Sequence, residues 1–255
     1  MSPGHQAVKG VLVAGTDTNV GKTFVASALC RILRRHGIPV VGLKPFETGC
    51  QPDPSDALAL EDEARSGLPL DLRCPIRYRA PLAPAVAAER EGLKGTLSDA
   101  LKTIARASVD RVAVVEVAGG LLVPLDGRHT NLDLAAALRL PIILVGRNAL
   151  GTLNHLALSV EALRHRGLKV AALVLSRGLS PSDPSQASNA RWAGKLTGVP
   201  VILELPRTNL TRASRTLESL FRQPPLARLL AAHTQPALTR RSGGRRASDP
   251  RRPRR

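Results

Sequence analysis

The stretch "GVLVAGTDTNVGKTFVASALCRIL", residues 10–33, contains the elements that decide the fold. Its first six residues form an apolar run typical of a buried parallel strand. From Lys22 onward the apolar residues recur at helical spacing, and Gly37 stands where a glycine often follows the end of a helix. The turn between the two carries Gly21, Lys22 and Thr23, the chemistry of a phosphate-binding loop.

The spacing of this loop is unusual, because five residues separate Gly15 from Gly21 where four are usual, and Thr16 occupies the usual glycine position. A surface turn that happens to contain Gly-Lys-Thr is the alternative, and the flanking strand and helix disfavour it. We expect Lys22 to reach the outer phosphates and the Thr23 hydroxyl to hold Mg²⁺. The loop residues predicted to bind nucleotide are Asp17, Thr18, Asn19, Val20, Gly21, Lys22 and Thr23.

The rest of the chain alternates apolar runs with segments of helical length. These runs lie at 39–45, 110–120, 141–146, 169–177 and 199–206. The alternation predicts an α/β fold, a single-domain, P-loop NTPase-like, doubly wound parallel sheet with helices on both faces. The carboxyl ends of the strands then meet at one edge of the sheet, where ligands bind. We assign residues 1–233 to this domain and residues 234–255 to a basic, disordered tail.

Composition limits the possible partners. The chain of 255 residues has a net charge of +17, which invites a nucleic-acid interpretation, but residues 239–255 carry eight Arg against one Asp. That segment has few apolar residues, so we expect a disordered, solvated tail and no specific nucleic-acid partner. No apolar run is long enough to span a bilayer, and no membrane partner is expected. Three widely spaced cysteines indicate neither disulfides nor a zinc site, which favours a cytoplasmic location.

Two acidic residues are candidate magnesium ligands alongside Thr23. Glu116 ends the apolar run "VAVVE", where a buried carboxylate is unfavourable unless it pairs or faces a metal. Asp56, in "PSDALAL", is the other candidate, although from spacing alone it serves equally well as the N-cap of a helix begun by Ser55 or Asp56. Lys44 follows a predicted strand end, where a second lysine would stabilise charge during phosphoryl transfer.

The segment "GRNALGTLNH", residues 146–155, is predicted to turn from a strand into a helix spanning about Thr152 to His165. Thr152 is a plausible N-cap, and the free N–H groups of the first turn could bind a substrate carboxylate. An ordinary capped helix is the alternative, and the segment by itself favours that alternative.

Five segments, in order, resemble the dethiobiotin synthetase family. They are "GTDTNVGKT", the "KP" of Lys44-Pro45 followed by Thr48-Gly49, "SDALAL" at 55–60, "VEVAGG" at 115–120 and "LGTLNH" at 150–155. The similarity covers roughly residues 10–206. It implies a ligase of biotin biosynthesis that converts ATP, CO₂ and 7,8-diaminononanoate into dethiobiotin, with Mg²⁺ as cofactor, in a homodimer whose substrate site lies at the subunit interface.

The resemblance also implies roles for individual residues. Lys22, Lys44 and Thr18 are expected to be catalytic, with the two lysines neutralising the transferring phosphoryl group. Thr23, Asp56 and Glu116 are expected to hold Mg²⁺, and Glu116 also to border the nucleotide. Ser176 is assigned to the nucleotide base. The expected substrate-binding residues are Thr18, Lys44, Thr48, Leu150, Gly151 and Asn154, and the last three are presented by the other subunit.

Four parts of the chain depart from the family pattern, one of which is "PLAPAVAA" at 81–88, where the hydroxyls common at that substrate-side position are missing. Val117 replaces a glycine of "VEGAGG" and is expected to crowd the backbone near Glu116. Asn19 replaces a residue that is often acidic, and Ser176-Arg177 stands where the family often has Asn-Asp.

Two alternative functions stay open at this point. One is a cobyrinate amidotransferase-like ATP domain, which normally carries a further glutaminase domain. The other is a partition-type P-loop ATPase that binds DNA or a protein partner, although such proteins usually have an extra lysine early in the loop, where this chain has Thr16-Asp17-Thr18.

Overall fold

The main sheet has six strands, and every pairing in it is parallel. A computed structural model describes residues 8–177 and 183–231. The sheet's strands are β1 (Gly10–Gly15), β2 (Val40–Leu43), β5 (Val112–Gly120), β6 (Ile142–Arg147), β7 (Val170–Ser176) and β8 (Ile202–Leu205). Their order is β2-β5-β1-β6-β7-β8, so the strand before the phosphate loop lies inside the sheet. The predicted doubly wound α/β fold is confirmed.

Helices connect the strands. They are α1 (Lys22–Arg35), α2 (Ser55–Ala64), α3 (Leu70–Arg73), α4 (Pro84–Glu91), α5 (Leu97–Ala107), α6 (Asn131–Leu138), α7 (Thr152–His165), α8 (Gln186–Thr197), α9 (Leu210–Leu217) and α10 (Pro224–Ala231), with a 3₁₀ helix at Glu218–Arg222 between the last two. None of the helices within residues 8–177 and 183–231 is long and apolar enough to cross a membrane.

Alternation along β1 divides the core into two layers. Val11 and Val13 pack with α1, α9 and α10 on one face, whereas Leu12 and Ala14 pack with α5, α6 and α7 on the other. The same alternation in β5 places Val114 in the first layer and Val115 in the second. Helices therefore cover both faces, as the sequence predicts.

A small second sheet lies between β2 and β5 along the chain and was not predicted. Its strands, β3 (Phe46–Thr48) and β4 (Ile76–Tyr78), pair in parallel. The backbone N–H of Lys44 also donates to the carbonyl of Arg73 at 2.9 Å. These contacts fix the path of the chain immediately after Lys44.

The predicted N-cap of α7 is wrong, whereas α2 begins at Ser55, one of its two predicted first residues. Helix α7 spans the predicted residues, but its N-cap is Gly151, which has a φ of 90°, and Thr152 lies inside the helix without a capping bond. Helix α2 has Pro54 as its N-cap, so Asp56 lies in the first turn and its side chain is free for another role. The predicted tail, residues 234–255, lies outside the described residues.

Candidate active site

The early glycine of the phosphate loop makes room for the lysine. A Cβ atom on Gly15 would lie 2.7 Å from Cδ of Lys22, so only a glycine lets the lysine stem pass over the end of β1. Lys22 is 5% exposed, and its Nζ donates to the carbonyl of Asp17 at 2.7 Å. The displaced glycine thus belongs to a loop whose lysine folds back across it.

The glycines that end β5 admit the phosphate loop. A Cβ on Gly120 would lie 3.3 Å from the carbonyl oxygen of Thr16, and one on Gly119 would lie 3.4 Å from Oγ1 of Thr18. Gly119 also has a φ of 72°, which other residues adopt with strain. The "AGG" sequence therefore allows the loop after β1 to approach the end of β5 closely.

Asn19 has a φ of 57°, in the left-handed region that asparagine tolerates better than most residues. Asp17 precedes it in the same loop and accepts a hydrogen bond from the N–H of Thr18 at 2.7 Å. The asparagine at this position thus suits the turn that the loop makes before α1.

Four side chains from four elements meet at the carboxyl edge of the sheet. Lys44, after β2, donates from Nζ to Glu116 of β5 at 2.6 Å and lies 2.7 Å from Oδ2 of Asp56 in α2. The Thr23 hydroxyl in α1 lies 2.8 Å from Oε1 of Glu116 and 2.9 Å from Oδ1 of Asp56. The structure therefore brings together the lysine, the hydroxyl and both carboxylates that the sequence singles out.

The charged groups of this cluster stabilise one another's ionised forms, as their pKa shifts indicate. Burial alone would lower the pKa of Lys44, but Glu116 and Asp56 outweigh it and raise the pKa well above its usual range, so the ammonium stays charged. Burial raises the pKa of Glu116, which is fully buried, and Lys44 opposes that effect. Burial also works to raise the pKa of Asp56, but Lys44 outweighs it and lowers the value.

The pKa of Lys22 is shifted in the opposite direction from that of Lys44. Burial, with a further contribution from Lys44, lowers its pKa from 10.5 to about 8. Its ammonium has no carboxylate within ion-pairing distance among the described residues. A buried cation without an ion-pair partner is poised to accept an anionic ligand.

The donor set fits Mg²⁺. Oxygen atoms from one hydroxyl and two carboxylates are the ligands this ion prefers, with waters and phosphates completing its shell. Oε2 of Glu116 is buried and has no hydrogen-bond partner, so this oxygen is available to a cation. Residues 8–177 and 183–231 contain no group of three or more His, Cys, Asp and Glu side chains suited to a metal, so the protein would supply only a partial shell.

Ser176 ends β7 beside the phosphate loop. A Cβ on Gly21 would lie 2.8 Å from Oγ of Ser176, so the serine covers the glycine at the start of α1. Gly21 has a φ of 98° and is the N-cap of that helix. Ser176 therefore lies against the phosphate loop, and its assignment to the nucleotide base stays a prediction.

Other predicted site residues take no part in the hydrogen bonds and ion pairs of this cluster. Thr48 is in β3 and is paired across the small sheet with Tyr78. Leu150, Gly151 and Asn154 lie at the start of α7, and none of the hydrogen bonds or ion pairs of the cluster involves them. Leu150 is 88% exposed, which is unusual for a large apolar side chain.

The expected crowding by Val117 is not seen. Alternation along β5 directs its side chain to the face opposite that of Glu116, where it is buried in the second core layer. Its carbonyl lies 3.5 Å from Nζ of Lys44. The valine side chain thus fills the core on the face of the strand away from Glu116.

The fold and the site together define an α/β phosphate-loop protein that binds nucleoside triphosphate. The family model described as an AAA domain matches residues 9–215. ATP-dependent dethiobiotin synthetase BioD of Anaeromyxobacter dehalogenans (strain 2CP-1) is 48% identical over 84% of this chain and 97% of its own. The enzyme of the same name from Caulobacter vibrioides (strain NA1000) is 40% identical over 70% of this chain and 84% of its own.

These relatives show the family, and the chain belongs to the ATP-dependent dethiobiotin synthetases. Among solved structures, chloroplast FtsY from Physcomitrella patens aligns with a TM-score of 0.45 and 19% identity, over 86% of this chain and 66% of that one.

Proposed function

We propose that the protein carries out the ATP-dependent carboxylation and ring closure of 7,8-diaminononanoate with CO₂, giving dethiobiotin, ADP and phosphate in biotin biosynthesis. The family assignment supports this reaction. The observation that carries it is the meeting of Lys44, Thr23, Asp56 and Glu116 at the edge where the phosphate loop begins α1. Ligands bind at that edge in sheets of this kind.

The reaction needs three bond-forming steps. One amine of the substrate attacks CO₂ and loses a proton to give a carbamate. A carbamate oxygen then attacks the γ-phosphorus of ATP and releases ADP. The second amine attacks the carbamate carbon and loses a proton, and phosphate leaves as the C–O bond breaks and the ring closes. The protein's task is to hold these groups in line and to stabilise negative charge on the transferring phosphoryl group.

The two buried lysines suit that task. Lys22 has no carboxylate partner, so its charge is available to the outer phosphates. Lys44 is held by Glu116 and Asp56, which fix its ammonium in one place. Thr18 reaches toward Gly119 and, together with Thr48, is proposed to contact the carbamate.

Thr23, Asp56 and Glu116 are proposed to hold Mg²⁺ when nucleotide is bound. The ion would neutralise phosphate charge and orient the β- and γ-phosphates. The orphaned Oε2 of Glu116 supports this assignment. Ser176, which covers Gly21, is proposed to border the nucleotide, together with loop residues Asp17 to Val20.

A homodimer is proposed to complete the substrate site. Leu150 is 88% exposed and Leu122, in the turn after β5, is 67% exposed, as expected of apolar residues that a second subunit covers. The N–H groups at the start of α7, with Gly151 as N-cap, could then receive the substrate carboxylate in the partner's active site, where Asn154 would assist. Sedimentation as a monomer during turnover would contradict this arrangement.

A cytoplasmic location is also proposed. The three free, buried cysteines agree with it.

The direct test of the function is an assay with diaminononanoate, bicarbonate, Mg²⁺ and ATP in which dethiobiotin and phosphate are both measured. We expect equal amounts of the two products, because each ring closure releases one phosphate. Phosphate release that continues without diaminononanoate, with no dethiobiotin formed, would contradict the proposal. Stimulation of ATP hydrolysis by DNA would instead support the partition-type alternative.

Nucleotide binding is expected to weaken as the pH rises from about 8 to 9.5. With a pKa of about 8, Lys22 of the free enzyme loses its proton in this range, and binding of the phosphates must restore it. Titration calorimetry in buffers of different ionisation enthalpy should show uptake of about one proton per ATP at pH 9. Lys22→Arg, whose guanidinium stays charged, should abolish that uptake. Unchanged uptake in the Arg variant would assign it to another group.

A further inference from the structure

Glu47 is a buried carboxylate to which the reaction above gives no role. It lies in β3, three positions after Lys44, and is 3% exposed. No ion pair involves it among the described residues. A buried carboxylate is strongly unfavourable unless hydrogen bonds compensate for its lost hydration. Its partners therefore indicate what it does.

Both oxygens of Glu47 accept hydrogen bonds from the backbone at the start of α2. Oε1 accepts from the N–H of Asp56 at 2.8 Å, and Oε2 accepts from the N–H of Ala57 at 3.0 Å. Pro54, the N-cap of this helix, has no side-chain acceptor to offer. Glu47 thus supplies from another strand the acceptors that the helix lacks locally, and its charge favours the positive end of the helix dipole.

One of the two backbone N–H groups that donate to Glu47 is that of Asp56, a residue of the candidate active site. The Asp56 side chain contacts Lys44 at 2.7 Å and accepts from the Thr23 hydroxyl at 2.9 Å. Asp56 is therefore fixed at its backbone by Glu47 and makes its site contacts through its carboxylate. Since Asp56 lies in the first helical turn, a shift of that turn moves the carboxylate with it.

We propose that Glu47 is a positioning residue of the nucleotide–metal site, which holds the first turn of α2 so that Asp56 meets Thr23 and Lys44. The inference rests on the proposed role of Asp56 in holding Mg²⁺. A purely structural cap would make a different prediction, because its loss would lower stability and leave ligand binding by the folded protein unchanged.

Glu47→Gln is the most informative variant. The amide keeps the shape of the side chain but presents an NH₂ group to one of the two N–H donors, so one bond is lost. Glu61→Gln is the control, although this carboxylate also pairs with Arg73 at 3.7 Å. Its carboxylate also accepts from a backbone N–H, that of Gly67 at 2.8 Å, but beyond the opposite end of α2.

The measurement is the dissociation constant of ATP with Mg²⁺ and with a chelator, by titration calorimetry well below the melting temperature. We expect Glu47→Gln to weaken Mg²⁺–ATP binding by about tenfold and metal-free binding by less than about twofold, the loss of one charge-assisted contact. Glu61→Gln should change neither constant by more than about twofold. If Glu47→Gln lowers the melting temperature but keeps both wild-type constants, the residue is only a cap and the proposal is wrong.

A double-mutant cycle tests whether Glu47 acts through Asp56. In the Asp56→Asn background, adding Glu47→Gln should leave Mg²⁺–ATP binding within about twofold, because the carboxylate to be positioned is gone. Losses that multiply in full would show that Glu47 acts independently and overturn the proposal. Should the Gln variant not fold, Glu47→Asp, which moves the acceptor by one methylene, replaces it in both experiments.

This test is separate from that of the reaction. A wild-type protein that forms dethiobiotin, with a Glu47 variant of normal Mg²⁺ dependence, would refute only the positioning role. A wild-type protein that binds Mg²⁺–ATP but forms no dethiobiotin would refute only the proposed reaction.

Discussion

Replacing Lys22 with methionine is expected to reduce dethiobiotin formation by at least about 10³-fold and to leave the folded protein as stable as the wild type or more stable. Methionine keeps an aliphatic stem over Gly15, where the lysine stem packs. The substitution removes the charge that would meet the phosphates, together with the hydrogen bond from Nζ to the carbonyl of Asp17. The activity loss and the stability change should therefore have opposite signs.

The stability side of this prediction follows from the lowered pKa of Lys22. Because the folded protein binds this proton less tightly than the unfolded chain, the charged lysine destabilises the fold below about pH 8, and the effect fades as the pH rises toward 10.5. Methionine should raise the free energy of unfolding at pH 7 by about 1–3 kcal/mol. Urea denaturation at pH 7 and pH 10 measures it, and a clear loss of stability at pH 7 would contradict the account.

Replacing Lys44 with methionine should lower both activity and stability. We expect turnover to fall by about 10²–10³-fold, the size typical for loss of one group that stabilises transition-state charge. The free energy of unfolding should fall by about 3–5 kcal/mol, because Glu116 would be left fully buried without its ammonium partner. The two lysine substitutions remove the same charge from neighbouring places, but we expect them to change stability in opposite directions.

A second substitution separates the two effects. Adding Glu116→Gln to Lys44→Met removes the unpaired charge, so stability should return while activity should not. Mg²⁺ should raise the melting temperature of Lys44→Met more than that of the wild type, because it can partly neutralise the carboxylates left behind. If stability stays low in the double variant, the pairing of Lys44 with Glu116 is not what stabilises this region.

The strands and the phosphate loop could be predicted because their signals are local. Apolar runs gave the six strands of the main sheet, and the helix from Thr152 to His165 was predicted with its observed bounds. The four-residue cluster could also be predicted. Its members lie at strand ends or in the first turns of helices, and the fold brings such positions together at one edge of the sheet.

What the sequence could not supply depends on contacts between distant segments. The small sheet at Phe46–Thr48 and Ile76–Tyr78 has strands of three residues, too short for a periodic signal. The cap of α7 was misassigned because threonine is the commoner N-cap, whereas here Gly151 adopts the left-handed conformation. Glu47 was not identified from the sequence. A signal was available, because a helix whose N-cap is Pro54 has no local side-chain acceptor and therefore needs one from another part of the chain.

The position of β1 inside the sheet has a consequence for how the protein is made. Gly10 pairs with Ala113, and Leu12 with Ile142, so the strand synthesised first has sheet neighbours that lie more than 100 residues further along. At ribosomal speeds of roughly 5–20 residues per second, the phosphate loop waits several seconds for the strands that flank it. Such distant pairings also slow folding, because the entropy cost of closing a long loop comes before the stabilising contacts can form. We therefore expect ATP to stabilise the enzyme only after β5 and β6 have left the ribosome and paired with β1.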